Sequence, residues 1–248
     1  MNTNDQVLVI AGGTQDKEAF HGHGFTNVVI SNIDHHGGVS DYSPYEWVYQ
    51  DAEAVDLEDG TYDWVFIHAG LHHCGSPHKA FCEMLRVARK GVVVFEARDS
   101  LFMRLAIRLG LGVSYELEPT ALSNDGTGGY RNTHIPNYVY RWTEREVEKT
   151  VNSYAPAYQH TFRYFYRLNA PVQRLRMSPS PIKRALGHGM KVIKPVFEKV
   201  LPRQCNQFGF LVQKEQSIQP WLTENDGVIS PNRQYFKDRF NAEKYNNE

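Results

Sequence analysis

The sequence predicts an α/β fold in which helices cover both faces of a doubly wound, mostly parallel sheet. Short continuous apolar runs, such as VLVIA (7–11) and VVVFEA (92–97), are typical of strands that are buried on both faces. Helical patterns separate these runs, and the alternation indicates parallel strands joined by helical crossovers. A chain of 248 residues with 41% hydrophobic content can bury one large core.

Further elements follow from local signals. Three more strands are predicted between the two apolar runs, at residues 27–34, 45–51 and 62–70. A helix is predicted over residues 76–91, because Ser76 can cap it, Pro77 suits its first turn and Gly91 can end it. Its apolar residues form one stripe, so we expect this helix to pack on the sheet.

The second half of the chain is less regular. Thr143 and Glu146 have the spacing of a capping box, which predicts a helix over residues 143–154. The other expectations are a helix at 101–110, a loop at 123–137, strands at 160–168 and 206–214, and an irregular polar tail at 217–248. We expect a single domain over residues 1–216, with residues 98–142 and 168–205 as insertions that cap a substrate site. Because the first predicted strand begins at residue 7, these insertions are the expected cover.

Composition excludes several classes of protein. The formal net charge of −1 gives no general attraction to nucleic acid. The three cysteines are too few and too unevenly spaced for a disulfide framework. No apolar run has the length of a membrane span or the form of a signal peptide. We therefore expect a cytoplasmic protein that does not bind nucleic acid.

Charge is distributed unevenly along the chain. Residues 1–159 contain twelve Lys/Arg and twenty-one Asp/Glu, whereas residues 160–205 contain ten Lys/Arg and one acid. Within the basic region, residues 182–201 combine apolar residues at helical spacing with lysines. Three interpretations stay open: this segment lies on the inner face of an anionic membrane, holds a phosphorylated or lipid-linked acceptor, or packs over its own pocket.

Candidate ligand-binding residues lie where the predicted strands end, because ligands of open parallel sheets bind outside the carboxyl ends of the strands. Strand one is followed by the small residues Ala11, Gly12, Gly13 and Thr14, and strand two by Asn32 and Asp34. Strand three is followed by Asp51 and Ala52, and strand four by His68 and Gly70. An acid after the second strand can accept hydrogen bonds from ribose hydroxyls.

Read together, four segments resemble the class I S-adenosylmethionine-dependent methyltransferases, and the type 11 branch in particular. The segments are VLVIAGGTQ, VVISNID, QDAEAVDLEDGTYDWVFIHAGLHH and HKAFCEMLRVARKGVVVFEA. The resemblance covers residues 5–97 in order. It implies a Rossmann-like, mostly parallel seven-stranded sheet with an antiparallel last strand, S-adenosylmethionine as cofactor and methyl transfer as activity.

The resemblance also implies roles for single residues. The segment from Ala11 to Thr14 would approach the methionine part of the cofactor, and Asp34 or Asn32 would bind the ribose hydroxyls. Asp51 and Ala52 would border the adenine, and His68 and Gly70 would line the channel at the sulfonium. The chain departs from the family pattern at Val9, Ala11 and Gln15 of the first motif.

Histidines are the candidates for chemistry at the acceptor. A methyltransferase must align the nucleophile and remove its proton where it is a hydroxyl, and histidine suits this task. The candidates are His72 and His73, with His134 less favoured. Tyr130, Arg131, His134 and Tyr138 are expected to shape a polar substrate pocket. A metal site is not expected, because the His and Cys residues of this region lack HExxH or paired CxxC spacing.

The expected acceptor is a small molecule or glycan, methylated at a hydroxyl oxygen; an acidic or lipid-linked envelope sugar would use the basic segment. The alternative is a non-catalytic S-adenosylmethionine-binding or scaffold protein, suggested by the altered first motif. A third interpretation, an NAD-dependent oxidoreductase, shares the acid after strand two but lacks GxGxxG.

Overall fold

A seven-stranded sheet organises the chain in a computed structural model that describes residues 1–34, 39–122, 127–170 and 172–240. The sheet strands are β1 (Val7–Ile10), β2 (Val28–Asn32), β3 (Glu46–Tyr49), β4 (Tyr62–His68), β5 (Ala88–Ala97), β6 (Tyr158–Arg167) and β7 (Gln207–Ile218). Their order is β3-β2-β1-β4-β5-β7-β6, and β7 is antiparallel to both of its neighbours. The predicted mostly parallel sheet with an antiparallel last strand is thus confirmed.

The described helices lie in the connections between strands and after them. They are α1 (Thr14–Gly22), α2 (Pro77–Val87), α3 (Leu101–Arg108), α4 (Glu118–Leu122), α5 (Glu144–Tyr154), α6 (Val172–Arg176), α7 (Pro181–Val200) and α8 (Arg233–Phe240). Ser76 caps α2 as predicted, since its hydroxyl accepts a hydrogen bond from the Lys79 amide. No helix among the described residues is both long and apolar enough to cross a membrane.

The core has a layer on each face of the sheet, which explains why β1 is apolar throughout. Leu8 and Ile10 join the layer formed with α2 and α5. Val7 and Val9, which point to the opposite face, join Phe20 of α1 in the second layer. Val9, where the chain departs from the family pattern, is fully buried and therefore serves packing.

The predicted end of the helix at residues 76–91 was wrong. Helix α2 ends at Val87 and β5 begins at Ala88, and the Lys214 ammonium donates hydrogen bonds to the carbonyl oxygens of Leu85 and Ala88 at this junction. Gly91 lies inside β5, where a Cβ would come 2.2 Å from the carbonyl oxygen of Val212. Gly91 therefore permits close approach of β7 and does not end a helix.

The prediction of an irregular tail at residues 217–248 was also wrong for the part that the structure describes. Strands β8 (Leu222–Asn225) and β9 (Val228–Pro231) form a hairpin, and α8 follows. Asp226 and Gly227 connect the strands with φ angles of 51° and 78°. An Asp-Gly pair is a strong hairpin signal because both turn positions need positive φ. The last eight residues of the chain lie outside the described part.

The two predicted insertions, residues 98–142 and 168–205, lie in different parts of the fold. Residues 98–142 leave β5 and return beside it: the Trp142 amide donates to the Ala97 carbonyl oxygen, and the Asp99 amide donates to the Trp142 carbonyl oxygen. This insertion, which we call the cap segment, thus begins and ends at the carboxyl edge of the sheet. The second insertion contains α7, which is one continuous helix despite Gly187, Gly189 and Pro195.

Candidate active site

A pocket of about 230 Å³ lies at the carboxyl ends of β1 to β4. Its lining includes six of the residues predicted to bind cofactor: Ala11, Asn32, Asp34, Asp51, Ala52 and Gly70. The cap segment contributes Gly128, Gly129, Arg131 and Asn132, and His73 and Cys74 complete one wall. The predicted methionine-side residues Gly12, Gly13 and Thr14 are not among the lining residues, nor are His68 and His72.

Close approach of two strand ends shapes the centre of the pocket. Ala11 after β1 and Ala69 after β4 both have a φ of 52°, a left-handed conformation that costs residues with a Cβ. A Cβ on Gly70 would lie 2.8 Å from the Cβ of Ala11, so glycine is needed there. The two backbones are therefore held close together at the pocket floor.

The other residues of the glycine loop serve packing and the start of α1. A Cβ on Gly12 would lie 2.7 Å from Val9 and 2.8 Å from Ile30, so Gly12 permits packing between β1 and β2. Gly13 precedes α1 and its amide donates to the Asp16 carboxylate. Thr14 is the first residue of α1. These positions place the helix N-terminus beside the pocket.

Asn32 and Asp34 form the edge of the pocket after β2. The Asn32 amide group donates to the Gly12 carbonyl oxygen at 3.2 Å, and its own oxygen accepts from the Asp34 amide at 3.1 Å. Asn32 thus joins the loop after β1 to the loop after β2. The Asp34 backbone is positioned by this turn.

The edge after β3 carries two carboxylates with different partners. Asp51 pairs with Arg131 of the cap segment at 2.8 Å, and it also accepts from the Glu53 amide at 2.9 Å. The buried Glu53 carboxylate accepts from the amides of Gly75 and Ser76, just before α2. Glu53 therefore fixes the start of α2, while Asp51 links the sheet to the cap segment.

His72 forms a buried pair with Glu96 of β5. The Nδ1–Oε2 distance is 2.6 Å, and the second oxygen of Glu96 accepts from the Leu71 amide at 2.7 Å. On the other side of the ring, Nε2 lies 3.4 Å from the carboxylate of Glu116 in the cap segment. Although burial opposes the charged form, the hydrogen bonds that the His72 ring donates to the carboxylates of Glu116 and Glu96 raise its pKa to about 10.

The contact with His72 also changes the pKa of Glu116. Its hydrogen bond with His72 lowers its pKa to about 2, and its carboxylate also lies 3.6 Å from Nε2 of His73. At neutral pH the arrangement is a carboxylate, an imidazolium and a second carboxylate in a row. Glu116 of the cap segment thus contacts the buried His72 in the turn that follows β4.

The pKa of His73 shifts in the opposite direction to that of His72. Burial lowers its pKa, and the positive charge of His72 lowers it further. Nδ1 of His73 lies 3.3 Å from the carbonyl oxygen of Gly129. Because a carbonyl oxygen can only accept, this contact suits the tautomer with its proton on Nδ1 and its lone pair on Nε2, which lies beside the Glu116 carboxylate. Neighbouring histidines whose pKa values move apart are typical of acid–base sites.

The remaining predicted residues lie farther out. His68 is exposed, and its Nδ1 is 3.8 Å from the Asp16 carboxylate. His134 is exposed, and Tyr138 packs edge-on against Tyr115 with ring centroids 5.4 Å apart. The Tyr130 hydroxyl lies next to Gly75. The structure therefore brings Arg131 to the pocket and leaves His134 outside it.

A metal ion would find one candidate set among the described residues. His72, His73 and Glu116 offer ligand atoms within 4.8 Å of one another. A metal ion bound there would have to displace the proton that the carboxylates of Glu116 and Glu96 favour on His72.

A broad basic groove of about 930 Å³ is lined by residues of the cap segment and of α5. Its cationic lining residues are Arg104, Arg108, Arg141, Arg145 and Lys149, and its acids are Asp99 and Glu146. Both acids have partners: Asp99 pairs with Arg104, and Glu146 with His78. Tyr138, which follows Asn137, also lines the groove, and Asn137 contacts Glu116 at 3.4 Å. The cap segment thus contributes residues both to this groove and to the contacts with His72 and His73.

Comparisons with known proteins agree with this geometry. Residues 26–95 match the model of the methyltransferase 11 family, described as "Methyltransferase domain". The chain carries a class I methyltransferase domain. Its cofactor is S-adenosylmethionine, and its activity is methyl transfer from that cofactor. The match begins after the glycine loop, where the chain departs from the family pattern.

Solved structures share the fold at low identity. One is a chain of the complex between the Haloferax volcanii Trm112 methyltransferase activator and its methyltransferase, at 10% identity and a TM-score of 0.55, covering 88% of this chain and 85% of that one. Another is the Bacillus subtilis YcgJ protein, at 10% identity and a TM-score of 0.52, covering 87% and 94%.

A third structure is the magnesium protoporphyrin IX methyltransferase of Synechocystis with bound S-adenosylhomocysteine, at 12% identity and a TM-score of 0.49, covering 86% and 75%. A comparison with curated protein sequences finds no match.

Sequence reasoning missed the residues that the cap segment brings to the site. Glu116 and Gly129 lie in stretches with no motif, and only the folded loop places them beside the histidines. Glu96 did carry a signal, since a lone acid in the apolar run VVVFEA calls for a buried partner.

Proposed function

We propose that the chain methylates a hydroxyl oxygen of an anionic small molecule or glycan, with His73 as the general base. The observation that carries the proposal is the state of His73. It lines the cofactor pocket, burial and the charge of His72 lower its pKa, and the contact of its Nδ1 with the Gly129 carbonyl oxygen leaves Nε2 to accept a proton. A neutral imidazole can take the proton of a hydroxyl as the oxygen attacks.

His72 acts as a positioning residue in this proposal. Its ring is fixed by Glu96 and carries a proton at neutral pH, so it cannot itself accept one. It holds Glu116 and, through it, the cap segment over the site. It also keeps His73 neutral by charge repulsion.

The pocket residues fit the groups of S-adenosylmethionine, which supplies an activated methyl group when bound. Asp34 or Asn32 would accept from the ribose hydroxyls. Asp51, with Ala52, would border the adenine, because each carboxylate oxygen can accept a second hydrogen bond beside Arg131. Ala11 and Gly70 would let the backbone approach the cofactor closely. The cavity is smaller than most ligand pockets, so the loop at residues 128–132 would move outward on binding.

The basic groove supports an anionic acceptor. Its five cations exceed its two acids, and the acids are already paired. Arg108, Arg145 and Lys149 form no ion pair among the described residues and can face a phosphate or carboxylate of the acceptor. An acidic or phosphorylated sugar would thus bind with its charge in the groove and its hydroxyl toward His73.

Substitution of His73 tests the proposal. The protein is incubated with methyl-tritiated S-adenosylmethionine and the small-molecule and glycan extract of its own cells, and the methylated atom is identified by mass spectrometry. His73→Gln should retain cofactor affinity by calorimetry and lower the rate by about a hundredfold or more, since general base catalysis contributes 10²–10⁴-fold. The exposed His23→Gln serves as the matched control and should keep the full rate.

Several outcomes would contradict the proposal. Methyl groups on nitrogen or carbon would exclude the hydroxyl acceptor, and a His73→Gln variant with full activity would exclude the base. Loss of activity with a chelator would mean that His72, His73 and Glu116 hold a metal. Absence of cofactor binding at millimolar concentration would favour a scaffold role.

A further inference from the structure

The helices α3 and α7 expose an unusually large apolar surface. Leu101, Leu105 and Leu109 recur every four residues of α3 and its last turn, so they share one face, and they are 52–73% exposed. On α7, one face likewise carries Val192, Val196 and Val200 at a spacing of four residues, and these side chains are 56–71% exposed. Soluble proteins rarely expose contiguous apolar patches of this kind without a binding function.

The two faces belong to one surface. The Phe102 ring of α3 packs against the Phe197 ring of α7, with centroids 5.3 Å apart. Met190 and Leu168 anchor the inner side of α7 in a small core of their own. The valines of α7 and the leucines of α3 therefore lie on neighbouring helices that contact each other through these rings, and we call them the α3–α7 face.

Cations flank this face. Lys199 lies beside the valine row of α7 and Lys191 lies farther round the helix, and neither forms an ion pair among the described residues. Arg104 and Arg108 lie on α3 between the exposed leucines and the basic groove. The acid of α7, Glu198, is occupied, because it accepts from the Leu168 amide at 2.8 Å.

We propose that the α3–α7 face binds the surface of an anionic lipid bilayer. An amphipathic helix with an apolar face and a lysine-rich polar face lies in the membrane interface, with its cations at the level of the headgroups. A second copy of the chain fits less well, since a symmetric contact would bring the same lysines together. The proposal does not depend on the acceptor, and it would place the basic groove next to headgroups.

Vesicle flotation with the full-length protein tests the proposal. Binding is expected to vesicles that contain phosphatidylglycerol, to weaken as salt is raised, and to be absent from pure phosphatidylcholine. The double variant Lys191→Gln/Lys199→Gln should bind about 25-fold more weakly, at about fivefold per lysine. The exposed pair Lys79→Gln/Lys237→Gln is the matched control and should bind like the unmodified protein.

The apolar contribution is tested separately. Leu105→Ser/Val196→Ser should weaken binding by roughly tenfold or more, whereas Val228→Ser on the exposed β8–β9 hairpin should not. Circular dichroism melting checks that the variants remain folded. Equal binding to neutral vesicles, no binding at all, or full binding by Leu105→Ser/Val196→Ser would each overturn the proposal. A dimer in sedimentation equilibrium that this variant dissociates, without vesicle binding, would show that a second copy occupies the face.

Discussion

Ala11 and Ala69 hold left-handed backbone conformations on either side of the pocket floor, with φ values of 52°. Such conformations cost about 1–2 kcal/mol for a residue with a Cβ and persist where the surroundings determine them. From sequence, Ala11 was predicted to approach the methionine part of the cofactor, and it also departs from the glycine-rich first motif of the family. The backbone angle explains why that motif has glycine there and what the chain loses by having alanine.

Replacing Ala11 with glycine should therefore stabilise the protein. Relief of the left-handed strain exceeds the extra entropy of glycine in the unfolded chain, so the free energy of unfolding should rise by about 0.5–1 kcal/mol in urea titrations. The matched control is Ala19→Gly, at an exposed position inside α1, which should cost about 1 kcal/mol. Equal destabilisation by both variants would show that Ala11 is not strained.

At the scale of elements, sequence signals predicted helices and strands where the signal was local. The Ser76 cap, the Thr143 cap and the alternation of apolar runs all correspond to observed elements. The end of α2 could not be predicted, because Lys214 and the pairing of β5 with β7 determine it. The β8–β9 hairpin was predictable from Asp226 and Gly227 but was overlooked in a polar segment.

The contact between the cap segment and the sheet predicts a pH dependence. His72 has a folded-state pKa of about 10, above its ordinary value of 6.5, so its stabilising effect is complete below pH 6.5 and is lost as the pH rises toward 10. Glu116 has a pKa of about 2, below its ordinary 4.5, so its effect is present above pH 4.5 and is lost as the pH falls toward 2.

Glu116→Gln should therefore cost most between about pH 4.5 and 6.5, roughly 1–2 kcal/mol, and almost nothing near pH 10. Urea unfolding at pH 6, 8 and 9.5 measures this trend, and nitrogen-15 NMR should show a lowered His72 pKa in the variant. Glu118→Gln, at an exposed position on α4, is the control. A loss of stability that does not change with pH would contradict the His72–Glu116 pair.

At the scale of the whole molecule, the sheet could be predicted because its strands are contiguous apolar runs, and the resemblance supplied their order. The rule that ligands bind at the carboxyl ends of parallel strands located Asp34, Asp51 and Gly70 at one pocket. The cap residues could not be placed in this way. Spacing along a loop does not determine where it folds back, and Glu116 reaches His72 only through tertiary packing.

Because four strand ends form the cofactor pocket, ligand binding should stabilise the whole domain. S-adenosylhomocysteine at 100 times its Kd should add about 2.7 kcal/mol, which raises Tm by roughly 5–10 °C for a chain of this size. Asp51→Ala and Asp34→Ala should each weaken binding by roughly tenfold and remove about half of that gain, because each deletes a carboxylate at the pocket edge. Differential scanning calorimetry measures the shift, with the exposed Asp56→Ala as control. An unchanged shift in both variants would mean that the cofactor does not bind along the edge that Asp34 and Asp51 form.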